Sequence, residues 1–454
     1  MDGVYEVEVE GLGHDGAGIA RVDGFLLFVR GVLPGEIVFV RVVMIKKKYG
    51  HAVVERWERK SEQRVDPVCD LFDVCGGCQL QHLSYEGQLK FKKELVISNL
   101  KKFAGLDNAG DIVSDVLGME TPYRYRNKTQ VPFGMDASGN VVGGFYKTRS
   151  HEIIDMPGCL VQYEIADEIL LFVKELISGL GISTYDEASH NGVLRHVIIR
   201  TGFITGEVMV VLVTRTDELP HGDVFVSRLV KKFPGVKCVA QNVNSRVTNV
   251  ICGNVTTILY GNDYIVDELS GIKFLISPRS FYQVNPVQTN VLYKVAVDFA
   301  GLSGDEVVID AYCGIGTISL FLAQCAKHVY GVEIVPDAIV DARKNAELNG
   351  LGNVSFEVGA SEVVIPRLIR EGVRPDVIVV DPPRKGCDAV LLDAILGAKP
   401  DRVVYVSCDS ATFARDVRIL AEGGYVLDEV KPVDMFGQTS HVETVALLTL
   451  RETL

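Results

Sequence analysis

Beyond Gly271 the chain keeps one rhythm. Short runs rich in β-branched residues, EVVIDAYC, HVYGVEI, VSFEVG, DVIVVDPP, RVVYVSCD and TVALLTL, are separated by stretches with helical spacing. Strands that are apolar on both sides and joined by helices specify a mainly parallel sheet covered on both faces, a doubly wound, Rossmann-like α/β architecture. Ligands of such sheets lie beyond the carboxyl ends of the strands, and every chemically suggestive motif in this half falls at a strand end.

The preceding residues read differently. Residues 1–61 alternate apolar and polar positions in short runs (VYEVEVEGL, FLLFVRGVL, EIVFVRVVMIKK, HAVVERWE) separated by glycine-rich turns such as GHDGAG, which predicts a small five-stranded, OB-like β-barrel. A cysteine-bearing loop starts near Asp66 and leads into a basic amphipathic helix over about residues 85–103. Residues 120–270 mix strands and helices, predicting an α+β domain with an antiparallel sheet. With 454 residues, and about 100 to 200 per domain, the expected division is multidomain: a barrel over 1–61, a central unit over 62–270 and the α/β unit over 271–454.

Composition removes several classes. Apolar residues make up 47% and charged residues 23%, enough for packed cores and too little charge for extended disorder. No apolar run reaches the roughly 18 residues of a membrane helix, and the start, MDGVYEVEVEGLGHDG, lacks the regions of a signal peptide, so a cytoplasmic protein without a membrane partner is expected. In a reducing compartment its ten cysteines are thiols, cluster ligands or nucleophiles rather than a disulfide framework. The net charge of -13 weighs against a nucleic-acid partner on average. Local basic stretches remain, including Lys46 to Lys48, Lys90 with Lys92 and Lys93, and Arg124 with Arg126 and Lys128, and they allow one cationic face on an acidic molecule. No obligate protein partner is implied.

Five motifs carry chemistry. VIDAYCGIGT, Val308 to Thr317, is a strand running into a glycine turn and a helix, and such turns let a backbone approach a nucleotide closely. Its spacing departs from the dinucleotide fingerprint, which disfavours pyrophosphate. Glu333 ends the next strand about 20 residues later, where doubly wound folds hold ribose hydroxyls, so the pair indicates a nucleoside-like cofactor. Asp381 opens the loop Asp381-Pro382-Pro383-Arg384, stiffened by its prolines. Cys408 stands at a strand tip just before a helix, where a thiolate is stabilised, and is a candidate nucleophile. Glu443, in His441-Val442-Glu443-Thr444 before the last strand, is a candidate general base. Separately, Cys69, Cys75 and Cys78 cluster among glycines and Cys159 follows Met156-Pro157-Gly158, a set that suits an iron-sulfur cluster or a tetrahedral zinc.

These residues together resemble the RNA (uracil-5-)-methyltransferases, particularly the bacterial 23S ribosomal RNA branch, along the whole chain. The barrel resembles a TRAM domain, Tyr125-Arg126-Asn127-Lys128 resembles the central-domain signature, and Phe281-Tyr282-Gln283-Val284-Asn285 resembles a segment that contacts the cofactor through its glutamine. The resemblance implies S-adenosylmethionine contacts at Gln283, Tyr312, Glu333 and Asp381, a nucleophile at Cys408, a base at Glu443, and a 4Fe-4S cluster on Cys69, Cys75, Cys78 and Cys159. Amino-group methyltransferases carry an aromatic residue where Arg384 stands, which disfavours amino-nitrogen methylation.

The implied chemistry is methylation of C5 of a uridine in 23S ribosomal RNA after Cys408 adds to C6. The same chemistry on tRNA is the alternative within this class. An inactive iron-sulfur RNA-binding protein is the alternative outside it, and intact Glu333, Asp381, Cys408 and Glu443 argue against that reading. A radical enzyme is ranked last because the usual C-x3-C-x2-C spacing is absent.

Overall fold

The computed structural model describes residues 3–451. Its first unit contains β1 (Val4–Glu8), β2 (Gly11–Leu12), β3 (Gly18–Val22), β4 (Phe25–Val29), β5 (Ile37–Ile45) and β6 (Tyr49–Arg59), ordered β1-β5-β6-β4-β3-β2. The sequence suggested five strands. The sixth, β2, forms because the GHDGAG turn closes tightly, with Gly13 N donating to Ala17 O and Gly16 at φ 77°, which returns Gly11 and Leu12 onto β3. Alternate side chains, among them Val7, Ala20, Leu27, Val38 and Val40, turn inward and form a separate core. Buried Glu36 accepts from Arg64 and from the Trp57 indole, fastening this unit to the chain that leaves it.

After the cysteine loop, α1 (Tyr85–Asn99) starts at Ser84, whose hydroxyl accepts from Gly87 N. It continues as a π-helical turn over Leu100–Ala104, closed by Gly105 at φ 72°, so the expected helix exists but widens in its last turn. Val96 and Leu100 pack into the core of the C-terminal sheet. A short α2 (Ala109–Ile112) follows.

The central unit contains β7 (Lys128–Met135), β8 (Val141–Gly143), α3 (Glu164–Leu180), β9 (Leu194–Thr201), β10 (Val208–Thr214), α4 (Gly222–Lys232), β11 (Val236–Val243) and β12 (Val255–Gly261). The strand order is β12-β11-β10-β9-β7-β8. The sheet is mixed rather than antiparallel, because α4 crosses over between β10 and β11 and leaves them parallel. One face packs under α3 and α4 through Ile169, Val173, Phe225 and Leu229. The other face, with Ile198, Met209, Val211 and Cys238, shares a core with the third unit.

That unit opens with the hairpin β13 (Ile265–Leu269) and β14 (Ile272–Ile276), followed by α5 (Pro286–Ala300). The alternation continues through β15 (Val307–Ala311), α6 (Thr317–Ala323), β16 (His328–Glu333), α7 (Pro336–Leu348), β17 (Val354–Val358) and α8 (Ser361–Arg370). It ends with β18 (Val377–Val380), α9 (Ala389–Ala398), β19 (Arg402–Ser407), α10 (Ser410–Glu422), β20 (Tyr425–Val433) and β21 (Glu443–Leu450). The seven strands are ordered β17-β16-β15-β18-β19-β21-β20, parallel except for β21, which runs against both neighbours. The strand order reverses between β15 and β18, the switch point at which such sheets bind ligands. Among the described residues no helix is long and apolar enough to cross a membrane.

Candidate active site

The register of the C-terminal sheet aligns its functional ends. Ala311 pairs with Val332 and Val380, Val380 with Tyr405, and Ser407 with Thr444, so Tyr312, Glu333, Asp381 and Cys408 emerge along one edge. Because β21 is antiparallel, its first residue, Glu443, arrives at that edge directly beside Cys408. The connection from β14 to α5 adds Phe281 and Gln283. Gln283, Tyr312, Glu333, Asp381, Cys408 and Glu443, all singled out in the sequence, line one cavity of about 650 Å³. Phe281, Glu362, Arg384, Asp388, Phe436 and His441 line it too. Of these, Phe436 and Glu362 carried no signal, since neither lies in a motif and only the fold brings them to this edge.

Local backbone geometry shapes the cavity around Tyr312 and Glu333. Tyr312 takes φ 70°, a region non-glycine residues seldom enter, and Gly314 and Gly316 follow at φ 56° and 82°. The tight bend lets Gly314 N donate to Glu333 Oε2 at 3.2 Å, while Val335 N donates to Oε1 at 2.9 Å. At Gly316 a Cβ would stand 2.9 Å from the Phe356 ring, so a side chain there displaces the turn. Gln283 is steadied from behind, where Asn127 Nδ2 donates to its carbonyl at 3.1 Å and Asn285 caps α5 by accepting from Gln288 N.

Around Cys408 the carboxyls of Asp381 and Glu443 outweigh the nearby Arg384. Burial pushes the Asp381 carboxyl up to about 6. Burial and the neighbouring Asp381 push Glu443 up to about 8, against the pull of Arg384. Burial, then Glu443 and Asp381, push the Cys408 thiol up to about 12. The sequence suggested that a helix start would favour the thiolate, and the structure corrects this. Asp409 is the N-cap of α10, and its Oδ1 accepts from Ala411 N and Thr412 N at 3.0 Å each, so the first-turn donors serve Asp409 rather than Cys408. Cys313 and Cys387, the other thiols nearby, are buried outside the cavity wall. Cys387 donates its amide to Asp416 at 2.8 Å and contacts the Tyr405 hydroxyl.

The remaining four cysteines of interest also converge. Cys69, Cys75, Cys78 and Cys159 line a separate cavity of about 180 Å³ together with Tyr125 and Arg126. Among the described residues no three Cys, His, Asp or Glu side chains come close enough to hold one metal ion. The four thiols ring this cavity. Burial pushes the Cys78 thiol up to about 11 and the Cys159 thiol up to about 12. The loop from β20 to β21 forms a wall common to both cavities: Thr439 faces the cysteines, and Phe436 and His441 face the active site. Gln438, at φ 70°, holds it there, accepting at its carbonyl from Gln79 N and Leu80 N at 3.0 Å each.

Comparison with known proteins agrees with this geometry. Residues 236–451 match the family model described as tRNA (Uracil-5-)-methyltransferase, and residues 3–54 match the TRAM domain. An uncharacterized RNA methyltransferase of Halalkalibacterium halodurans is 55% identical over 448 residues, covering 99% of this chain and 97% of that protein. One of Bacillus cereus is 52% identical over 445 residues, covering 98% and 96%. Among solved structures, the Pyrococcus abyssi tRNA (uracil-54, C5)-methyltransferase in complex with S-adenosyl-L-homocysteine superposes with a TM-score of 0.79 at 29% identity, covering 98% of this chain and 100% of that one. A doubly wound sheet with a TRAM unit ahead of it and end-to-end relatives of this kind place the chain in the RNA (uracil-5-)-methyltransferase family, as an S-adenosylmethionine-dependent enzyme.

Proposed function

We propose that the enzyme methylates C5 of a specific uridine in 23S ribosomal RNA through a covalent adduct between Cys408 and C6 of the uracil. The observation that carries this reading is the placement of Cys408 beside Glu443 in the cavity that Gln283, Tyr312, Glu333 and Asp381 also line. Those four would hold S-adenosylmethionine, with Glu333 placed to take the ribose hydroxyls. When bound, S-adenosylmethionine supplies an electrophilic methyl group.

Uracil C5 is a poor nucleophile until something adds at C6. Cys408 would give its thiol proton to solvent and form the S–C6 bond while the C5=C6 pair moves onto C5; C5 would take the methyl, leaving S-adenosylhomocysteine, and Glu443 as a carboxylate would remove the C5 proton as that pair re-forms C5=C6 and the S–C6 bond breaks. The resting cavity keeps Cys408 and Glu443 protonated. A positively charged cofactor beside Glu333, Asp381 and Glu443 would lower the proton affinity of both. The target base must leave its stack to reach Cys408, so the enzyme acts on a loop or flips the nucleotide out.

Cys69, Cys75, Cys78 and Cys159 would hold a 4Fe-4S cluster, a reading supported by four thiols around one cavity. The uridine chemistry moves no electron, so the cluster has a structural or RNA-positioning role. A second reading, tRNA as substrate, is favoured by the full-length likeness to a structure described as acting on uracil-54 of tRNA. The test offers 5-fluorouridine transcripts of 23S ribosomal RNA and of tRNA together with S-adenosylmethionine. Fluorine at C5 cannot leave as a proton, so the productive RNA remains attached on a denaturing gel. An adduct with ribosomal RNA that vanishes in Cys408→Ala supports the first reading, an adduct with tRNA alone supports the second, and none with either overturns both.

A further inference from the structure

The pairing of β7 with β9 sets Lys128 directly opposite Arg200. Like charges facing across strands repel, and here Arg200 is also withdrawn from water, only 7% exposed, while Lys128 is half-buried. Arg200 Nη2 donates to the Ser280 carbonyl while its Nε has no partner, although it is buried. Arg126, on the same stretch, adds a third cation, and burial, then Arg200 and Arg126, lower the proton affinity of Lys128 to about 8. The other titratable group beside them is the Cys252 thiol, which burial pushes up so that it stays neutral, and not a carboxylate. In a chain of net charge -13, an acid-free cluster of one buried and two half-buried cations is the opposite of what packing alone would select.

Its position gives the cluster a use. Ser280, which receives Arg200, immediately precedes Phe281, and Phe281 and Gln283 line the catalytic cavity. Asn127, between Arg126 and Lys128, donates to the Gln283 carbonyl and, through its backbone, to the Val284 carbonyl at 2.8 Å. Phe281 itself is 63% exposed at the cavity mouth. We infer that Lys128 and Arg200 form an anion site for a backbone phosphate of the RNA strand that presents the target nucleotide to this cavity. The inference rests on the RNA-uridine reading above and adds the contact that anchors the strand. The phosphate supplies the charge that the protein leaves out, and the two cations hold it in place while the base turns inward.

The experiment uses the full chain and measures RNA affinity across a salt series for wild type, Lys128→Gln, Arg200→Gln and Lys128→Arg, with thermal unfolding of each free protein. Loss of one phosphate contact weakens binding about tenfold at low salt and reduces the slope of log affinity against log salt by about 0.7 to 0.9. Lys128→Arg keeps the slope. Lys128→Gln leaves the melting temperature of the free protein equal or higher, because it relieves repulsion, whereas a purely structural lysine would lower it. Arg200→Gln checks the same slope from the other strand, and inorganic phosphate in excess competes only weakly if the site is built for a strand. An unchanged slope in both glutamine variants overturns the inference, as does a fall in melting temperature with affinity intact. If wild type binds RNA with the expected slope loss in the variants but forms no 5-fluorouridine adduct, the anion site stands and the proposed reaction falls.

Discussion

The Lys92 ammonium lies 2.6 Å from Asp434 Oδ1, and neither side chain is exposed to solvent. Lys92 also donates to the Phe436 carbonyl, and the Tyr85 hydroxyl donates to Asp434 Oδ2 at 2.7 Å. Helix α1 therefore holds the loop that brings Phe436 and His441 to the active site. Removing one partner of a buried pair strands the other charge, so Lys92→Met should lower stability by about 3 to 5 kcal/mol in urea unfolding. Lys92→Met combined with Asp434→Leu should lose less than the sum of the two single changes.

Stability should fall as pH rises from about 4.5 to 8, in part through Glu443. Its folded-state affinity for a proton, near 8, exceeds that of an ordinary glutamate near 4.5, so the folded state keeps a proton that the unfolded chain has released across that window. Folding then becomes less favourable as pH rises. Glu443→Gln should flatten this part of the stability profile and raise the melting temperature at pH 8, while abolishing the rise of kcat/KM that accompanies Glu443 ionisation.

Cys408→Ala should reduce methylation by on the order of a thousandfold or more. RNA affinity measured by filter binding should change little, because the thiol reacts with the base and does not hold the strand.

That residue also marks the limit of what the sequence disclosed. Strand ends were readable because β-branched runs stop at Asp310-Ala311, Val332-Glu333, Val380-Asp381 and Ser407-Cys408, and parallel pairing then aligns whatever follows. The electrostatics of Cys408 were not readable. A strand tip before a helix looks like a thiolate site until one sees that Asp409 takes the helix donors and that Glu443, 35 residues away, comes alongside. The cation pair of Lys128 and Arg200 was invisible for the same reason, since it depends on the register of two strands far apart in sequence. In the barrel, alternation gave the inward residues, but the two-residue β2 depends on how one glycine turn closes.

Glu333→Ala should weaken cofactor binding about tenfold to a hundredfold by isothermal titration, the range for losing a hydrogen bond to a charged group. RNA affinity in the absence of cofactor should be unchanged, and a parallel loss of both would mean that the Tyr312 turn had collapsed instead.

Anaerobically purified protein should contain about four irons and four sulfides per chain. Cys78→Ser should lower both and bleach the visible absorbance. It should also speed hydrogen exchange at the Gln79 and Leu80 amides, because the loop bearing them, bonded to Gln438, loses its anchor.

The place of β21 in the sheet, between β19 and β20, has a consequence for how the enzyme comes into being. Cys408 and Glu443 become neighbours only when this last strand is inserted between two that precede it in the chain, so their pairing has to await β21.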